Sequence, residues 1–163
     1  MNAAAGRVTN IVVAGIGGQG VLKASDIIAD AALHAGFEVK KSEVHGMSQR
    51  GGSVTSDVRY GVEVFSPMVP PGTADFVLVL SPNEIANNRW HLSPGGMLIA
   101  PDAIDQQALK SPKTLNVALL GVLSRDLDIP EADWHAAIRA NLPDKEHTMN
   151  LAAFETGRQQ PRA

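Results

Sequence analysis

Residues 8–20, VTNIVVAGIGGQG, join an apolar, β-branched segment directly to a glycine-rich turn. Residues 8–14 of this stretch predict a strand that is buried on both faces. Residues 21–35 follow with leucine, isoleucine and alanine at helical spacing, and Gly36 ends that pattern. Residues 37–44 predict a second strand. The order strand, glycine turn, helix, strand is typical of a βαβ unit, which predicts a parallel sheet with a right-handed crossover.

The rest of the sequence extends this unit to an open sheet. Residues 54–65 alternate apolar and polar side chains about Tyr60 and Gly61, which predicts a hairpin with a tight turn there and an antiparallel edge. Similar signals predict a buried strand at 75–80, a short strand at 97–100, and helices at 82–92, 116–124, 130–141 and 145–156. We therefore predict an α/β, Rossmann-like fold: an open, mainly parallel sheet with helices on both faces and an antiparallel hairpin.

Length and composition indicate one globular domain. The chain has 163 residues, of which 44% are hydrophobic and 19% charged, and a domain takes about 150 residues. We expect a single domain over 1–163, with 1–9 as a loose leader and 158–163 as a loose tail.

The net charge of −3 offers no basic field for nucleic acid. No apolar run approaches the roughly 20 residues of a membrane span, and the N-terminus has no signal-peptide pattern. We expect a cytoplasmic protein that binds neither nucleic acid nor membrane.

The lack of cysteine narrows the chemistry. With no cysteine in its sequence, the chain cannot form disulfides, thiolate zinc sites or a cysteine nucleophile, and it cannot ligate an iron–sulfur cluster through sulfur. The five histidines are scattered without metal-ligand spacing. The motifs G-x-S-x-G, G-x-x-x-x-G-K-[ST] and H-E-x-x-H do not occur. The sequence therefore predicts no metal site and assigns no catalytic residue.

The glycine turn is the first candidate site. Residues 15–20 match G-x-G-x-x-G between a predicted strand and a predicted helix. Glycines let the backbone approach a ligand closely, and amides at a helix start face an anion. A tight turn that only packs the helix on the strand would show the same residues. A dinucleotide site would add an acidic residue about 20 positions further on, for which Glu38 and Glu43 are the candidates. The candidate residues of the turn are Gly15, Gly17, Gly18, Gln19 and Gly20.

The loop at 42–53, SEVHGMSQRGGS, is the second candidate site. It is rich in glycine and hydrogen-bond donors, and it follows a predicted parallel strand, where open α/β sheets bind ligands. Arg50 can grip a carboxylate or phosphate with two hydrogen bonds, and His45 can carry a proton near neutral pH. An exposed loop with a hydrogen-bonded histidine is the alternative. The candidate residues are Glu43, His45, Gly46, Ser48, Gln49, Arg50, Gly51, Gly52 and Ser53.

Four features resemble one known family: the GIGGQG turn, the SEVHGMSQRGGS loop, Ser66-Pro67 before a Pro/Gly turn, and Asn116 with Leu120-Gly121. That family is the gamma domain of the 2-oxoacid:ferredoxin oxidoreductases. Within it, the chain most resembles the beta subunits of indolepyruvate ferredoxin oxidoreductase. The resemblance runs over residues 10–157, and the long second loop is its specific part.

The resemblance implies a reaction and a division of labour. The reaction is the oxidative decarboxylation of a 2-oxoacid with coenzyme A to acyl-CoA and CO₂, with electrons passed to ferredoxin. Thiamine diphosphate, Mg²⁺ and Fe–S clusters serve that chemistry, but this chain has no cysteine and no G-D-G sequence with the asparagine that follows it in such enzymes. We therefore expect these cofactors in a larger catalytic alpha subunit, none bound by this chain alone, and coenzyme A as a shared substrate.

The resemblance also implies roles for the two candidate sites. The glycine turn would face the partner or the acyl-acceptor channel, and His45 with residues 48–50 would border the coenzyme A or thiamine region. Residues 101–115 are compressed relative to the family, which puts the last strand of the sheet in question. The residues leave two other functions open: a free-standing dinucleotide-binding domain for NAD or FAD, and a purely structural scaffold subunit.

Overall fold

Five strands form one open mixed sheet within residues 6–45 and 52–162, which the computed structural model describes. They are β1 (Thr9–Ile16), β2 (Glu38–His45), β3 (Ser53–Gly61), β4 (Ala74–Val79) and β5 (Leu92–Ile99), in the order β2-β3-β1-β4-β5. β4 is parallel to both β1 and β5, whereas β3 is antiparallel to both β1 and β2. Four strands therefore run one way and β3 alone runs the other, which confirms the predicted open, mainly parallel α/β sheet.

The predicted βαβ unit is present with an extra strand inside it. α1 (Val21–His34) carries the chain from β1 to β2, and the two strands run in the same direction. β3 lies between them, so β1 and β2 do not share hydrogen bonds. β2 and β5 are the edge strands, and β3 is internal.

The hairpin predicted at 54–65 is wrong. β3 continues through Tyr60 to Gly61 as one strand, and its hairpin partner is the preceding strand β2, with Glu38 opposite Gly61. A Cβ atom at Gly61 would lie 2.7 Å from the carbonyl oxygen of Arg7. This glycine therefore permits a close approach of the N-terminal segment to the strand and does not form a turn.

Each face of the sheet has its own apolar layer. The first face carries Ile11 and Val13 of β1 and packs against the longer helices, which are α1, α3 (Leu115–Ser124), α4 (Glu131–Asn141) and α5 (His147–Arg158). The second face carries Val12 and Ala14, and Val69 with the one-turn helix α2 (Ile85–Asn88) covers it. Helices lie on both faces, as predicted, but the second face is covered only by short segments.

Two glycines bring α3 and α5 into backbone contact. A Cβ atom at Gly157 would overlap the carbonyl oxygen of Ala118, and one at Gly121 would overlap that of Phe154. The two helices therefore pack closer than side chains at these positions would allow. Trp134 of α4 packs on Phe154 of α5 with ring centroids 5.7 Å apart, which adds α4 to this group of packed helices.

The segments between β4 and α3 differ from the sequence expectation. The helix predicted at 82–92 is divided into the 3₁₀ turn Pro82–Glu84, α2 and the 3₁₀ turn Arg89–His91. β5 begins at Leu92, earlier than the strand predicted at 97–100, and its pairing with β4 shifts register between Ala74 and Phe76. Residues 101–114 contain three further 3₁₀ turns and no strand.

Both ends of the described chain contact the domain. Arg7 pairs with Asp75, and Arg162 pairs with Asp126 at 2.8 Å. None of the described helices has both the length and the apolar character that crossing a membrane requires.

Candidate functional site

A crevice lies at the carboxyl ends of β1 and β4. β1 leads into α1 on the first face and onward to β2, whereas β4 leads into α2 on the second face and onward to β5. Because these neighbouring parallel strands send their connections to opposite sides, their carboxyl ends form a topological switch point. Open α/β sheets bind ligands at such a point, so the glycine turn after β1 occupies the expected position for a site.

The glycine turn is held in place by its own hydrogen bonds. Gly18 and Gly20 have φ angles of 92° and 85°, which favour glycine. Gln19 closes the turn, since its Oε1 accepts a hydrogen bond from the Ile16 amide at 2.8 Å. The Gly17 amide donates to the carbonyl oxygen of Gly52 at 3.0 Å. The turn is thereby fixed to the start of β3 as well as to the end of β1.

The start of α1 is suited to an anion. Gly20 is its N-cap, no side chain caps it, and no acidic residue lies in its first turn. The first backbone bond of the helix runs from the Ala24 amide to the Gly20 carbonyl oxygen at 2.9 Å, so the amides just before Ala24 have no acceptor within the helix. The helix dipole and the exposed Lys23 add positive charge at this point.

Two clefts open on either side of the turn. The His45 cleft, of about 670 Å³, is lined by the glycine turn, Val21, Lys23, His45 and Val54, together with Gly52. The Lys113 cleft, of about 460 Å³, is lined by Gly18, Gln19, Leu80, Lys113 and Asn116. Apolar walls with one lysine in each cleft fit a ligand that carries both anionic and apolar groups.

Asn116 joins α3 to the glycine turn. Its Nδ2 donates to the Gly20 carbonyl oxygen at 3.3 Å, and the side chain packs where a Cβ atom of Gly20 would lie. Thr114 is the N-cap of α3, so Asn116 lies within the first turn of that helix. Asn116 is buried and fixes the wall between the turn and Lys113.

Glu43 and His45 lie at the end of β2. Glu43 accepts a hydrogen bond from Lys41 at 3.2 Å, and its other oxygen lies 3.9 Å from His45 Nε2. Lys41 also pairs with Asp26 of α1. Burial alone would lower the pKa of Lys41, but the hydrogen bonds and charges of Asp26 and Glu43 outweigh it and raise that pKa. Glu43 thus lies between Lys41 and His45 at the surface of β2, and the exposed His45 side chain can face a ligand.

The candidate residues from the sequence divide into three groups. Gly17, Gly18, Gly20, His45 and Gly52 come together in the His45 cleft. Four others are engaged by contacts within the chain, and of these Gln19 also lines the Lys113 cleft. They are Gln19 and Glu43 as above, Gly15, where a Cβ atom would lie 2.9 Å from Val21 Cγ2, and Ser53, whose Oγ donates to the buried Glu84 at 3.0 Å. Gly46, Ser48, Gln49, Arg50 and Gly51 lie outside the described residues.

Sequence reasoning missed two residues of the candidate site, Lys23 and Lys113. Lys23 could have been found, because it falls in the first turn of the helix that follows the glycine motif. Lys113 carries no such signal. Asn116 is noted in the sequence only through the family resemblance, and it reaches the site through the packing of α3 against the turn.

A further cleft, of about 520 Å³, lies at the opposite end of β1 and β4. The three carboxylates of its lining already have partners: Asp75 pairs with Arg7, Asp126 with Arg162, and Asp128 accepts a hydrogen bond from the Tyr60 hydroxyl at 3.3 Å. It lies at the amino ends of the parallel strands, away from the switch point, so we assign the site to the clefts beside the glycine turn.

Comparison with known proteins identifies the family of this chain. The family model described as pyruvate ferredoxin/flavodoxin oxidoreductase matches residues 10–160. The chain belongs to this family. It is 34% identical to the indolepyruvate oxidoreductase subunit IorB of Thermococcus kodakarensis, over 91% of this chain and 93% of that protein. The chain is thus a small subunit of a 2-oxoacid:ferredoxin oxidoreductase, which confirms the resemblance found in its sequence.

Solved structures share the fold. The gamma subunit of the keto/oxoacid ferredoxin oxidoreductase of Geobacter sulfurreducens superposes with a TM-score of 0.77 at 20% identity, over 94% of this chain and 96% of that chain. The 2-oxoglutarate:ferredoxin oxidoreductase of Magnetococcus marinus, with 2-oxoglutarate, coenzyme A and succinyl-CoA bound, also gives 0.77 at 23% identity. The match covers 93% of this chain but only 30% of that one, so there the fold is part of a much longer chain.

Proposed function

We propose that the chain is the non-cofactor subunit of a 2-oxoacid oxidoreductase of the arylpyruvate or indolepyruvate type. The reaction converts a 2-oxoacid and coenzyme A into acyl-CoA and CO₂, and two electrons pass to ferredoxin. The observation that carries the proposal is the glycine turn at the switch point, where the uncapped amides of α1 can bind an anion. The similarity of the chain, over most of its length, to an indolepyruvate oxidoreductase subunit supports it.

The cofactors belong to a larger catalytic subunit in this proposal. The chain has no cysteine to ligate an Fe–S cluster. Its described residues contain no group of three or more histidine and carboxylate side chains placed to hold a metal ion. Thiamine diphosphate supplies the carbanion chemistry when it is bound in the partner. This chain's part is to bind and orient coenzyme A and to border the reaction centre.

The clefts suggest how coenzyme A would bind. A phosphate group would accept hydrogen bonds from the first amides of α1, with Lys23 and Lys113 on either side. The apolar walls formed by Val21 and Val54 suit the pantetheine arm. His45 and the loop residues Gly46, Ser48, Gln49, Arg50 and Gly51 would border the coenzyme A or thiamine region at the partner. We assign none of them a catalytic step.

The sheet order argues against a free-standing dinucleotide-binding domain. In a Rossmann sheet the second strand lies directly beside the first, so its acidic residue reaches the ribose. Here β3 separates β1 from β2. Glu38 accepts a hydrogen bond from the Val64 amide at 3.1 Å, and Glu43 pairs with Lys41. Both acidic candidates are exposed, but each already pairs with a group of this chain.

The proposal is tested with the reconstituted complex and a charge-reversal variant. Lys23→Glu is expected to raise the KM for coenzyme A about tenfold, the effect of losing one charge-assisted contact of about 1.4 kcal/mol. The KM for the 2-oxoacid should not change. Lys145→Glu is the matched control, because Lys145 is exposed and lines neither cleft.

Two results would overturn the proposal. If Lys23→Glu leaves the coenzyme A dependence at the control value, the glycine turn does not hold that substrate. If the isolated chain releases heat on titration with NAD(H), NADP(H) or FAD, and none with coenzyme A, the dinucleotide-binding function replaces it.

A further inference from the structure

Glu84 is a buried acid at the carboxyl edge of the sheet to which the proposed function gives no role. It follows β4 in the 3₁₀ turn Pro82–Glu84, and it is only 8% exposed. Among the residues that the structure describes, no lysine, arginine or histidine forms an ion pair with it. Burying a carboxylate costs free energy unless hydrogen bonds compensate it. The hydrogen bonds of Glu84 therefore bear on why an acid occupies this position.

The Glu84 side chain reaches across the end of β1. Its Oε2 accepts a hydrogen bond from Ser53 Oγ at 3.0 Å. Ser53 is the first residue of β3 and lies opposite Ile16, the last residue of β1. Side chains alternate along β1, so Ile16 and its cross-strand partner lie on the same face as Ala14, which is the second face. Because β3 and β4 flank β1, about 10 Å apart, the bond spans β1 just before the glycine turn. We call this pair the Ser53–Glu84 clamp.

The acceptor of the clamp is held rigidly. The Glu84 amide donates to the Ser81 carbonyl oxygen at 3.0 Å, and Asn88 Nδ2 donates to the Glu84 carbonyl oxygen at 2.8 Å. Asn88 is itself buried. Ser53, by contrast, is exposed at the first position of its strand. Glu84 therefore positions Ser53, and an ionised carboxylate does so with a stronger hydrogen bond than a neutral acceptor would form.

The clamp is connected to the glycine turn through one peptide group. The carbonyl oxygen of Gly52, which directly precedes Ser53, accepts the hydrogen bond from the Gly17 amide at 3.0 Å. Gly17 opens the turn, and Gly20 ends it as the N-cap of α1. A displaced Ser53 would move the Gly52 carbonyl, and with it the turn that orients the first amides of α1. Groups that bind a ligand must be held within about 0.5 Å of their productive positions, so the clamp bears on how well the turn holds a phosphate.

We propose that Glu84 is a positioning residue for coenzyme A: through Ser53 and Gly52 it holds the glycine turn in the geometry that receives a phosphate group. The inference rests on the proposed function. Glu84 and Ser53 line neither the His45 cleft nor the Lys113 cleft. Glu84 thus acts from the second face through the backbone of β3, without contact with the substrate.

Kinetics of the reconstituted complex provide the first test. Glu84→Ala removes the acceptor and is expected to raise the KM for coenzyme A about tenfold, with kcat and the KM for the 2-oxoacid unchanged. Glu84→Gln keeps an oxygen acceptor in the same place, so its KM should stay within about threefold of the wild type. Asp57→Ala is the matched control. It removes another second-face carboxylate that accepts one hydrogen bond, from the Val69 amide at 2.9 Å, and that bond does not involve the start of β3.

Amide hydrogen exchange of the full chain provides a second test that needs no coenzyme A. Ser53→Ala removes the donor of the clamp at an exposed position, so the fold should tolerate it. The Gly17 amide should exchange about tenfold faster in Ser53→Ala and in Glu84→Ala than in Asp57→Ala. The double variant should exchange no faster than either single variant, because both residues belong to one hydrogen bond.

The two tests distinguish this inference from the proposed function. Exchange of the Gly17 amide at the control rate in both clamp variants overturns the inference alone. An equal rise of the KM in Glu84→Gln and Glu84→Ala assigns the effect to the charge of Glu84 and also overturns it. So does faster exchange with the KM for coenzyme A at the control value, when Lys23→Glu does raise that KM. If neither Lys23→Glu nor the clamp variants change the KM for coenzyme A, the proposed function falls and the inference falls with it.

Discussion

Replacing Gly20 with alanine is expected to destabilise the protein more than replacing Gly18, because only Gly20 faces a packed neighbour. Both residues adopt left-handed φ angles, of 85° and 92°, which cost a non-glycine residue roughly 1–2 kcal/mol. A Cβ atom at Gly18 meets nothing within 4 Å. At Gly20 it would overlap Asn116 Nδ2 and lie 3.2 Å from Asn116 Cγ.

The difference between the two variants can be worked from these contacts. Displacing Asn116 breaks its hydrogen bond to the Gly20 carbonyl oxygen, which adds about 1 kcal/mol. We therefore expect a loss of about 1–2 kcal/mol for Gly18→Ala and about 2–3 kcal/mol for Gly20→Ala. Alanine also reduces the entropy of the unfolded chain, but equally at both positions, so the difference is unaffected.

Urea unfolding of both variants, each alone and combined with Asn116→Ala, tests this reasoning. Asn116→Ala should restore part of the loss at Gly20 and none at Gly18, since only the first pair is in contact. Equal losses for the two glycines, or no coupling between Gly20 and Asn116, would refute the contact as the cause. Gly18→Ala also separates two functions: its methyl group points into the clefts, so it should raise the KM for coenzyme A, whereas a scaffold subunit would lose stability alone.

Two further predictions concern the core and the second face. Gly157→Ala should lower the free energy of unfolding by about 3 kcal/mol or more, because its methyl group would overlap the Ala118 carbonyl and force α3 and α5 apart. Thermal unfolding measures this loss of stability, and a loss no larger than that of the neighbouring variant Thr156→Ala would contradict the prediction. Burial raises the pKa of Asp57 above its unfolded value, against the hydrogen bond from Val69 and the charges of His91 and Arg59. The stability linked to Asp57 is therefore present below the unfolded pKa of about 3.9 and is lost as the pH rises through the folded pKa. The variant Asp57→Asn should not show that loss. The difference in free energy of unfolding between Asp57→Asn and the wild type should therefore rise between pH 4 and pH 7 in favour of the variant. A difference that falls over that range would count against this reasoning.

Local patterns predicted the elements whose signals are contained in neighbouring residues. β1, the glycine turn and α1 follow from one continuous stretch, since a buried strand, glycines and a helical period each leave a local mark. The prediction of a tight turn at Tyr60 and Gly61 was wrong because Gly61 is required by a contact with a residue that is distant in the sequence. It makes room for the Arg7 carbonyl, which arrives from more than fifty positions earlier in the chain. No pattern within β3 records that approach.

The candidate site divides in the same way. Gly17, Gly18, Gly20, His45 and Gly52 were predicted because each belongs to a glycine-rich segment next to a strand, and the fold does gather them in one cleft. Asn116 completes the wall from a position 96 residues after Gly20. Gln19 and Ser53 have ligand-type side chains, but their oxygens are already used by Ile16 and Glu84. Residue type alone does not distinguish a side chain that binds a ligand from one that holds the loop.

The position of β3 bears on the ligand that we propose for the glycine turn. The turn matches the dinucleotide pattern in sequence, and α1 presents its amides to a phosphate in either case. Dinucleotide binding needs a second strand directly beside the first, so that an acidic side chain meets the ribose. With β3 inserted, β2 lies two strands from β1, roughly 10 Å away. The place of that acidic residue is taken by the start of β3, where Gly52 binds Gly17 and Ser53 turns to Glu84 on the second face. What remains beside the turn is a cleft with an apolar wall and His45 at its edge, which supports our proposal of coenzyme A as its ligand over a nicotinamide or flavin dinucleotide.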